Sequence, residues 1–251
     1  MAVKLFSFLS RGADVDVESF HRTWGNEYGP ELAEQPVFRD AVLRYEQNHR
    51  LAADYERARD PSEQTSSFDG CSVFWFESFA AFEAFSGDPE LRRWSEARSG
   101  TFLDRSMTRW LVTREPDAIV DLPEGRERAG AKLLSVFRRN PALDREAFRS
   151  HWRERHGPLY VDVPALARDV LAYDQNPRLD ADYDRDAPGA PGDDGVTEQW
   201  FESIDAFTAS LRLPENRKLV GPDVAHLLDT SCIEFLITGW PQPAFGEVEG
   251  P

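Results

Sequence analysis

Apolar and polar positions first alternate, then recur at helical spacing, and the cycle runs through the chain twice. Val3 to Ser10 is a short β-rich run, and Ala131 to Arg138 is its counterpart. Asp16 and Asp144 stand at N-cap positions. The stretches behind them put Val17, Phe20 and Trp24, or Ala147, Phe148 and Trp152, on one helical face. Gly29-Pro30 and Gly157-Pro158 are expected to stop those helices. A short helical piece then leads to a second strand, Val42 to His49 and Val170 to Asn176, followed by a polar loop bearing Asp and Tyr. The third strand covers Cys71 to Glu77 and Val196 to Glu202, after which Ser78 and Ser203 cap a Phe-faced helix. A further helical stretch after Pro89 and Pro214 leads to the fourth strand, Ser106 to Thr113 and Ser231 to Thr238.

The two halves also match residue by residue. Tyr45 to Tyr55 (YEQNHRLAADY) and Tyr173 to Tyr183 (YDQNPRLDADY) agree at eight of eleven positions, at an offset of 128. Beyond the loop the offset becomes 125, where Trp75 to Phe82 matches Trp200 to Phe207. The change falls in a polar stretch of 13 residues in the first half (Glu56 to Phe68) and 10 in the second (Asp184 to Asp193), as a surface loop allows. A unit of this length is a whole duplicated domain.

The order β-α-β-β-α-β, twice, predicts an α+β fold of two fused ferredoxin-like repeats. Each would be a four-stranded antiparallel sheet with helices on one face. Large apolar residues stand on both alternations of the strands, such as Phe74 and Phe76 against Val73 and Trp75, so both faces are expected to be buried. Packing the two bare faces together would give an intramolecular pseudo-twofold α+β barrel. The first repeat is then residues 1–113 and the second, with its tail, 131–251. The charged Arg114 to Gly130, with two prolines and two glycines, reads as a connector.

Charge narrows the partners. Asp and Glu number 45 and Lys and Arg 29, a net charge of −16. Such a surface repels phosphate backbones and anionic lipid heads, so nucleic acid and membrane are not expected as partners. No apolar run approaches a bilayer span, and the N-terminus reads as a strand rather than a signal peptide. Cys71 and Cys232 form no disulfide framework or metal-type cluster, and a cytoplasmic protein with free thiols is the expectation. The chain has no Gly-rich phosphate loop and no nucleophile elbow, so neither a nucleotide cofactor nor a metal is expected. Haem stays open by motif, because one His suffices as axial ligand.

An early Lys-Leu strand, then Arg, Phe, Trp and His-Gly-Pro-Leu, resembles the EthD-like members of the dimeric α+β barrel superfamily. Lys132, Arg139, Phe148, Trp152 and His156-Gly157-Pro158-Leu159 carry the match in the second half. Lys4, Arg11, Phe20, Trp24 and Gly29-Pro30 carry it in the first, with Tyr28 at the place of the His. Tyr45-Glu46-Gln47-Asn48 and Tyr173-Asp174-Gln175-Asn176 resemble the second-strand signature. The resemblance implies a pocket inside each half. It also implies a range of chemistries: cofactor-free oxygenation, lactone isomerisation, polyketide cyclisation and decarboxylation. Some members bind haem, and some have no known activity. Most relatives are single domains that dimerise. A fused pair closes its barrel as a monomer, while leaving dimerisation through helices open.

Five histidines leave few acid–base groups. His156 is the leading candidate, since imidazole alone titrates unperturbed near neutrality; the plainer reading is a helix-end residue that meets the last carbonyls. Tyr28 at the matching position either orients a substrate oxygen or finishes a helix. Successive strand residues point to opposite faces, so at most one of each Gln-Asn pair should face inward. Asn48 and Asn176 are the pocket-lining candidates, against a hydrogen bond to a loop. His49 faces Pro177 in the alignment, so any role it has belongs to the first half. Tyr55 and Tyr183, with Asp54 and Asp182, lie in the loop after strand two, as a lid over the pocket or a loop anchor. Trp24 and Trp152 read as barrel wall, and Trp152 is a candidate ligand contact. Arg11 and Arg139 either neutralise an anionic intermediate or, the plainer reading, make exposed strand-end ion pairs, and His21, His151 and His226 read as helix-surface residues.

The expected activity is cofactor-independent acid–base chemistry on a hydrophobic, oxygen-rich small molecule, aromatic or polyketide-like. A cyclase, isomerase, dehydratase or decarboxylase of bacterial secondary metabolism or catabolism would fit. The alternatives are a non-catalytic binding protein and a haem-binding oxygenase- or peroxidase-like protein. The second-half pocket is expected to carry the chemistry, with His156 as acid–base and Asn176 and Tyr183 as orienting groups.

Overall fold

The computed structural model describes residues 1–57, 66–187, 192–239 and 241–245. Its ten strands are β1 (Val3–Leu9), β2 (Val42–His49), β3 (Gly70–Phe76), β4 (Arg109–Arg114), β5 (Asp117–Asp121), β6 (Ala131–Phe137), β7 (Val170–Pro177), β8 (Gly195–Phe201), β9 (Glu234–Thr238) and β10 (Gln242–Phe245). They form two five-stranded antiparallel sheets, ordered β10-β2-β3-β1-β4 and β5-β7-β8-β6-β9. The chain divides into two compact units. The first is Met1–Arg50, Ser67–Glu115 and Pro241–Pro251; the second is Leu51–Ser66 and Pro116–Trp240.

The expected order of four strands and the helices between them is present in each repeat. The caps are also where the sequence places them. The side chains of Asp16, Ser78, Asp144 and Ser203 each accept a hydrogen bond from the backbone N–H three residues on. The fourth strands start later than expected, at Arg109 and Glu234. Ahead of them Asp104 and Asp229 turn the chain by accepting from Ser106 and Ser231.

Two expectations are corrected. The stretch read as a connector carries β5, and the tail carries β10. Each pairs with the outer edge of a second strand, β7 or β2, which would otherwise present unpaired backbone groups. The Gly-Pro pairs do not stop the first helices. The helix over Val17–Thr23 runs through a π-turn (Trp24–Tyr28) into Gly29–Ala33. Arg145–His151 runs likewise through Trp152–His156 into Gly157–Asp162. In the π-turn the Gly29 N–H reaches back five residues to the Trp24 carbonyl, and Gly157 does the same to Trp152. The proline behind it is the second residue of the next segment, directly after the wider π-turn.

In β6 and β8 every residue is buried. One face of the second sheet carries Leu133, Gln199 and Tyr173 in one cross-strand row, and Ser135, Thr197 and Gln175 in the next. The other face carries Lys132 beside Trp200, and Glu198 beside Asp174. Lys132 Nζ lies 2.6 Å from Glu198 Oε1, and Arg126 clasps Asp174 at 3.0 and 3.1 Å. Among the described residues no helix is long and apolar enough to cross a membrane.

Candidate functional site

A cavity of about 270 Å³ lies in the second unit, with the Tyr173–Gln199–Leu133 face of the sheet as its floor. Its walls come from the π-turn and helix that carry Trp152, His156 and Tyr160, from the helix Ile204–Leu211, and from the segment around Val220 to Leu228. The lining is mostly aliphatic and aromatic. The polar exceptions include Ser135, Thr197, Gln199, Asn216, His156 and the two tyrosines.

His156 is brought to this wall by a chain of local causes. Gln175 Nε2 donates to the Trp152 carbonyl at 2.8 Å and to the Tyr173 hydroxyl at 3.0 Å, which ties the π-turn to the sheet. Gln47 makes the same two bonds to Trp24 and Tyr45, at 2.9 and 3.0 Å. The approach needs glycine: a Cβ on Gly29 would sit 2.4 Å from Gln47 Nε2. The Gln and Asn of each pair point to opposite faces of the sheet, as strand geometry requires, and both are buried. Both sheet faces are covered, so opposite pointing does not mean exposure.

Asp223 decides what His156 can do. Its Oδ2 lies 2.7 Å from His156 Nδ1, and its Oδ1 lies 2.6 Å from His151 Nε2. A carboxylate only accepts, so both imidazoles donate to it. In neutral His156 the proton is thereby held on Nδ1, and Nε2 keeps its lone pair. Burial opposes the Asp223 charge, but the hydrogen bonds and charge of His156 and His151 outweigh it and hold the carboxyl below its usual value. His151, read from sequence as a surface residue, is a half-buried partner of Asp223 whose ring also lies 4.9 Å from that of His226. Tyr160 borders His156, with ring centroids 5.6 Å apart. Burial pushes the Tyr160 hydroxyl up to about 12 against the opposing hydrogen bond of Gln199, so it enters chemistry as a neutral donor. Burial also raises Tyr173.

The other candidates separate. Trp152 lines the cavity. Asn176 does not: it lies on the opposite sheet face, where Nδ2 donates to the Val196 carbonyl at 3.2 Å and to Glu198 Oε2 at 3.1 Å. Asn48 donates to the Cys71 carbonyl in the same way. Tyr183 is held as a loop anchor, away from the cavity. Its hydroxyl donates to Asp194 at 2.7 Å, and the guanidiniums of Arg145 and Arg178 lie 3.6 and 4.3 Å from its ring. Arg139 pairs with that same Asp194, as Arg11 does with Asp69. Tyr28 borders a separate recess of about 240 Å³ in the first unit, with its hydroxyl 3.0 Å from Ser95 Oγ. His49 lies off that recess, against Trp24, with Nδ1 2.8 Å from His21 Nδ1. His21 is thus also a partnered residue, not a free surface one. Tyr55 lies in the helix Ala52–Arg57, half-buried. The middles of the lid-like loops, 58–65 and 188–191, and the tail beyond 245 lie outside the described residues.

Two site residues escaped the sequence reading. Arg57, at the end of the helix Ala52–Arg57 that the second unit includes, lines that unit's cavity and is held by buried Asp54 at 2.8 Å. Asp223 stands 67 positions from His156, and a lone acid in a helix carries no motif. The signal was the repeat: at the offset of 125 the first half has Arg98, a reversal of charge. Among the described residues no group of three metal-type side chains gathers.

The EthD domain is matched twice, over residues 13–106 and 140–231. The chain is a tandem member of the EthD family. No curated protein matches it. Among solved structures it is similar to an anthrone oxidase-like protein, at 11% identity and a TM-score of 0.65, covering 98% of this chain and 94% of the other. It is also similar to a variant of chlorite dismutase from Candidatus Nitrospira defluvii, at 14% identity and a TM-score of 0.51, covering 95% and 91%. At such identity these likenesses show the fold alone.

Proposed function

We propose that this EthD protein is a cofactor-independent acid–base enzyme acting on a compact, hydrophobic, oxygen-bearing molecule, aromatic or polyketide-like, in the second-repeat cavity. The observation that carries the reading is the His156–Asp223 pair at the wall of an otherwise apolar cavity. Asp223 fixes the imidazole tautomer and stabilises the imidazolium that forms when Nε2 takes a proton. Tyr160 and Gln199 supply neutral hydrogen-bond donors for the oxygen on which charge develops. Removal of a proton from a carbon next to a carbonyl, or from a phenol, opens cyclisation and isomerisation routes. The imidazolium can return a proton to the enolate left when a β-keto acid loses carbon dioxide. The carbanion of an anthrone, with dioxygen as oxidant and water as the other product, leads to the oxidation suggested by the name of the anthrone oxidase-like neighbour. A volume near 270 Å³ is at the lower end of sites for drug-sized ligands, which suits one to three fused rings.

The test is consumption of hydroxylated naphthalenes, anthrones and β-keto acids without added cofactor. Wild type should turn over at least one, and His156→Gln should bind it while losing about a hundredfold in rate. Full turnover by His156→Gln would sink the assignment. Binding without turnover in wild type would favour a sequestering protein, and a Soret band in the purified chain would favour haem.

A further inference from the structure

The first repeat shows what the second repeat's cavity is missing. In the first repeat Phe74 stacks on Tyr45, with ring centroids 4.4 Å apart and planes 3° from parallel. Phe85 closes on Phe74 at 5.9 Å, and Phe38 packs against all three rings, at 5.8 to 6.3 Å. Tyr45 is paired across the strands with Phe74, as Tyr173 is with Gln199, so the two tyrosines present the same face to the same neighbour. At matching positions the second repeat has Leu166 for Phe38, Gln199 for Phe74 and Ser210 for Phe85. Among the described residues the one ring against Tyr173 is Tyr160, edge-on at 5.3 Å and 78°. Tyr173, Gln199 and Ser210 all line the cavity.

We infer that the ligand supplies the missing ring: a planar aromatic ring seats on the face of Tyr173, in the slot that Phe74 and Phe85 fill in the first repeat, and Gln199 selects for a ring oxygen. Offset stacking on a buried tyrosine favours a flat π-system over a puckered ring of the same volume. Gln199 sits where the displaced ring stood, so its amide meets the rim of the incoming one. The Gln199 amide bonds the Tyr160 hydroxyl and has further hydrogen-bonding capacity for a ligand oxygen, which a bare ring rim leaves unmet, and that is where discrimination arises. The same exchange explains why the duplicated fold needs only one such seat: the first repeat carries its ring covalently.

The inference rests on the second-repeat cavity being the ligand site, but its test reads binding alone and does not involve His156. The probes are 2-naphthol, naphthalene and the saturated trans-2-decalol, titrated by calorimetry and by quenching of tryptophan emission. Wild type should bind 2-naphthol at least about tenfold more tightly than trans-2-decalol. Gln199→Phe with Ser210→Phe transplants the first repeat's rings, and should weaken 2-naphthol binding at least about tenfold while the melting temperature holds or rises, because a cavity is filled. If the double variant does not fold by circular dichroism, Ser210→Phe alone carries the same expectation. Gln199→Leu should keep ring binding but lose the preference for 2-naphthol over naphthalene. Equal affinity for the saturated probe, unchanged 2-naphthol binding in the folded ring-filled variant, an unchanged preference in Gln199→Leu, or no saturable 2-naphthol binding to wild type would overturn it. Loss of turnover in His156→Gln with ring binding intact tests the acid–base reading separately.

Discussion

Nδ1 of His156 lies 2.7 Å from Oδ2 of Asp223, and the other oxygen of that carboxylate is taken by His151 at 2.6 Å. All three are particular to the second repeat. At the matching positions the first has Tyr28, Arg98 and Thr23, and there Arg98 is drawn to Glu27 and Glu31 at 2.8 Å. The scaffold is shared and these charged groups are not, so the proposed proton chemistry would belong to one cavity per chain.

Asp223→Asn tests the orientation of His156. An amide in that place can donate to Nδ1 and draw the imidazole proton to Nε2, the atom that has to stay bare. Turnover should fall by about a hundredfold with little change in ligand affinity. A nitrogen-15 spectrum of His156 should show the tautomer reversed. Unchanged turnover would mean that Asp223 serves packing only.

Gln175→Leu tests the strap between sheet and π-turn. It removes two buried hydrogen bonds, to the Trp152 carbonyl and the Tyr173 hydroxyl. The expected loss is about 1–3 kcal/mol in urea unfolding. A loss below that range would show that the Gly157 N–H alone satisfies the Trp152 carbonyl.

Gly195→Ala reaches the cavity through Trp152. A Cβ there would lie 2.9 Å from Trp152 Cζ3, on a ring that lines the cavity. Overpacking should cost about 1–3 kcal/mol and weaken ligand binding as the indole shifts. Stability lost with affinity intact would place the strain away from the cavity.

The first repeat should report its histidines in the pH dependence of stability. Burial, and then the neighbouring His21, push His49 from 6.5 down to about 3. Its folded value lies below its unfolded one, so the unfolded chain binds the extra proton between those limits. Stability is therefore full above about 6.5 and falls as pH drops toward about 3. His21 is lowered by burial and acts in the same sense. His49→Gln should flatten that slope by close to one proton, measured as unfolding free energy against pH. An unaltered slope would contradict it.

The duplicated β-α-β-β-α-β plan was legible because hydrophobic period, caps and matching residues all agreed. Val42–His49 is a strand over the span its pattern predicts, and Asp16, Ser78, Asp144 and Ser203 cap as expected. What stayed hidden depends on tertiary partners. The π-turns need Gln47 and Gln175 to hold a carbonyl that sequence alone assigns to an ordinary helix. Strand β5 is short and acidic at both ends, and only the open edge of β7 makes it a strand. Asn176 looked like a pocket residue because a buried amide implies a partner. That partner is Glu198 and a strand carbonyl, on the far side of the sheet. Arg57 and Asp223 are charged helix residues like many others until the fold sets them beside the cavity.

A crystal structure of the chain with bound 2-naphthol, with the stoichiometry from calorimetry, locates the ligand. One ligand per chain is expected, lodged in the second-repeat cavity with its oxygen within hydrogen-bond reach of His156 Nε2, Tyr160 or Gln199. Two equivalent ligands per chain, or a single one held beside Tyr28 in the first repeat, would contradict it.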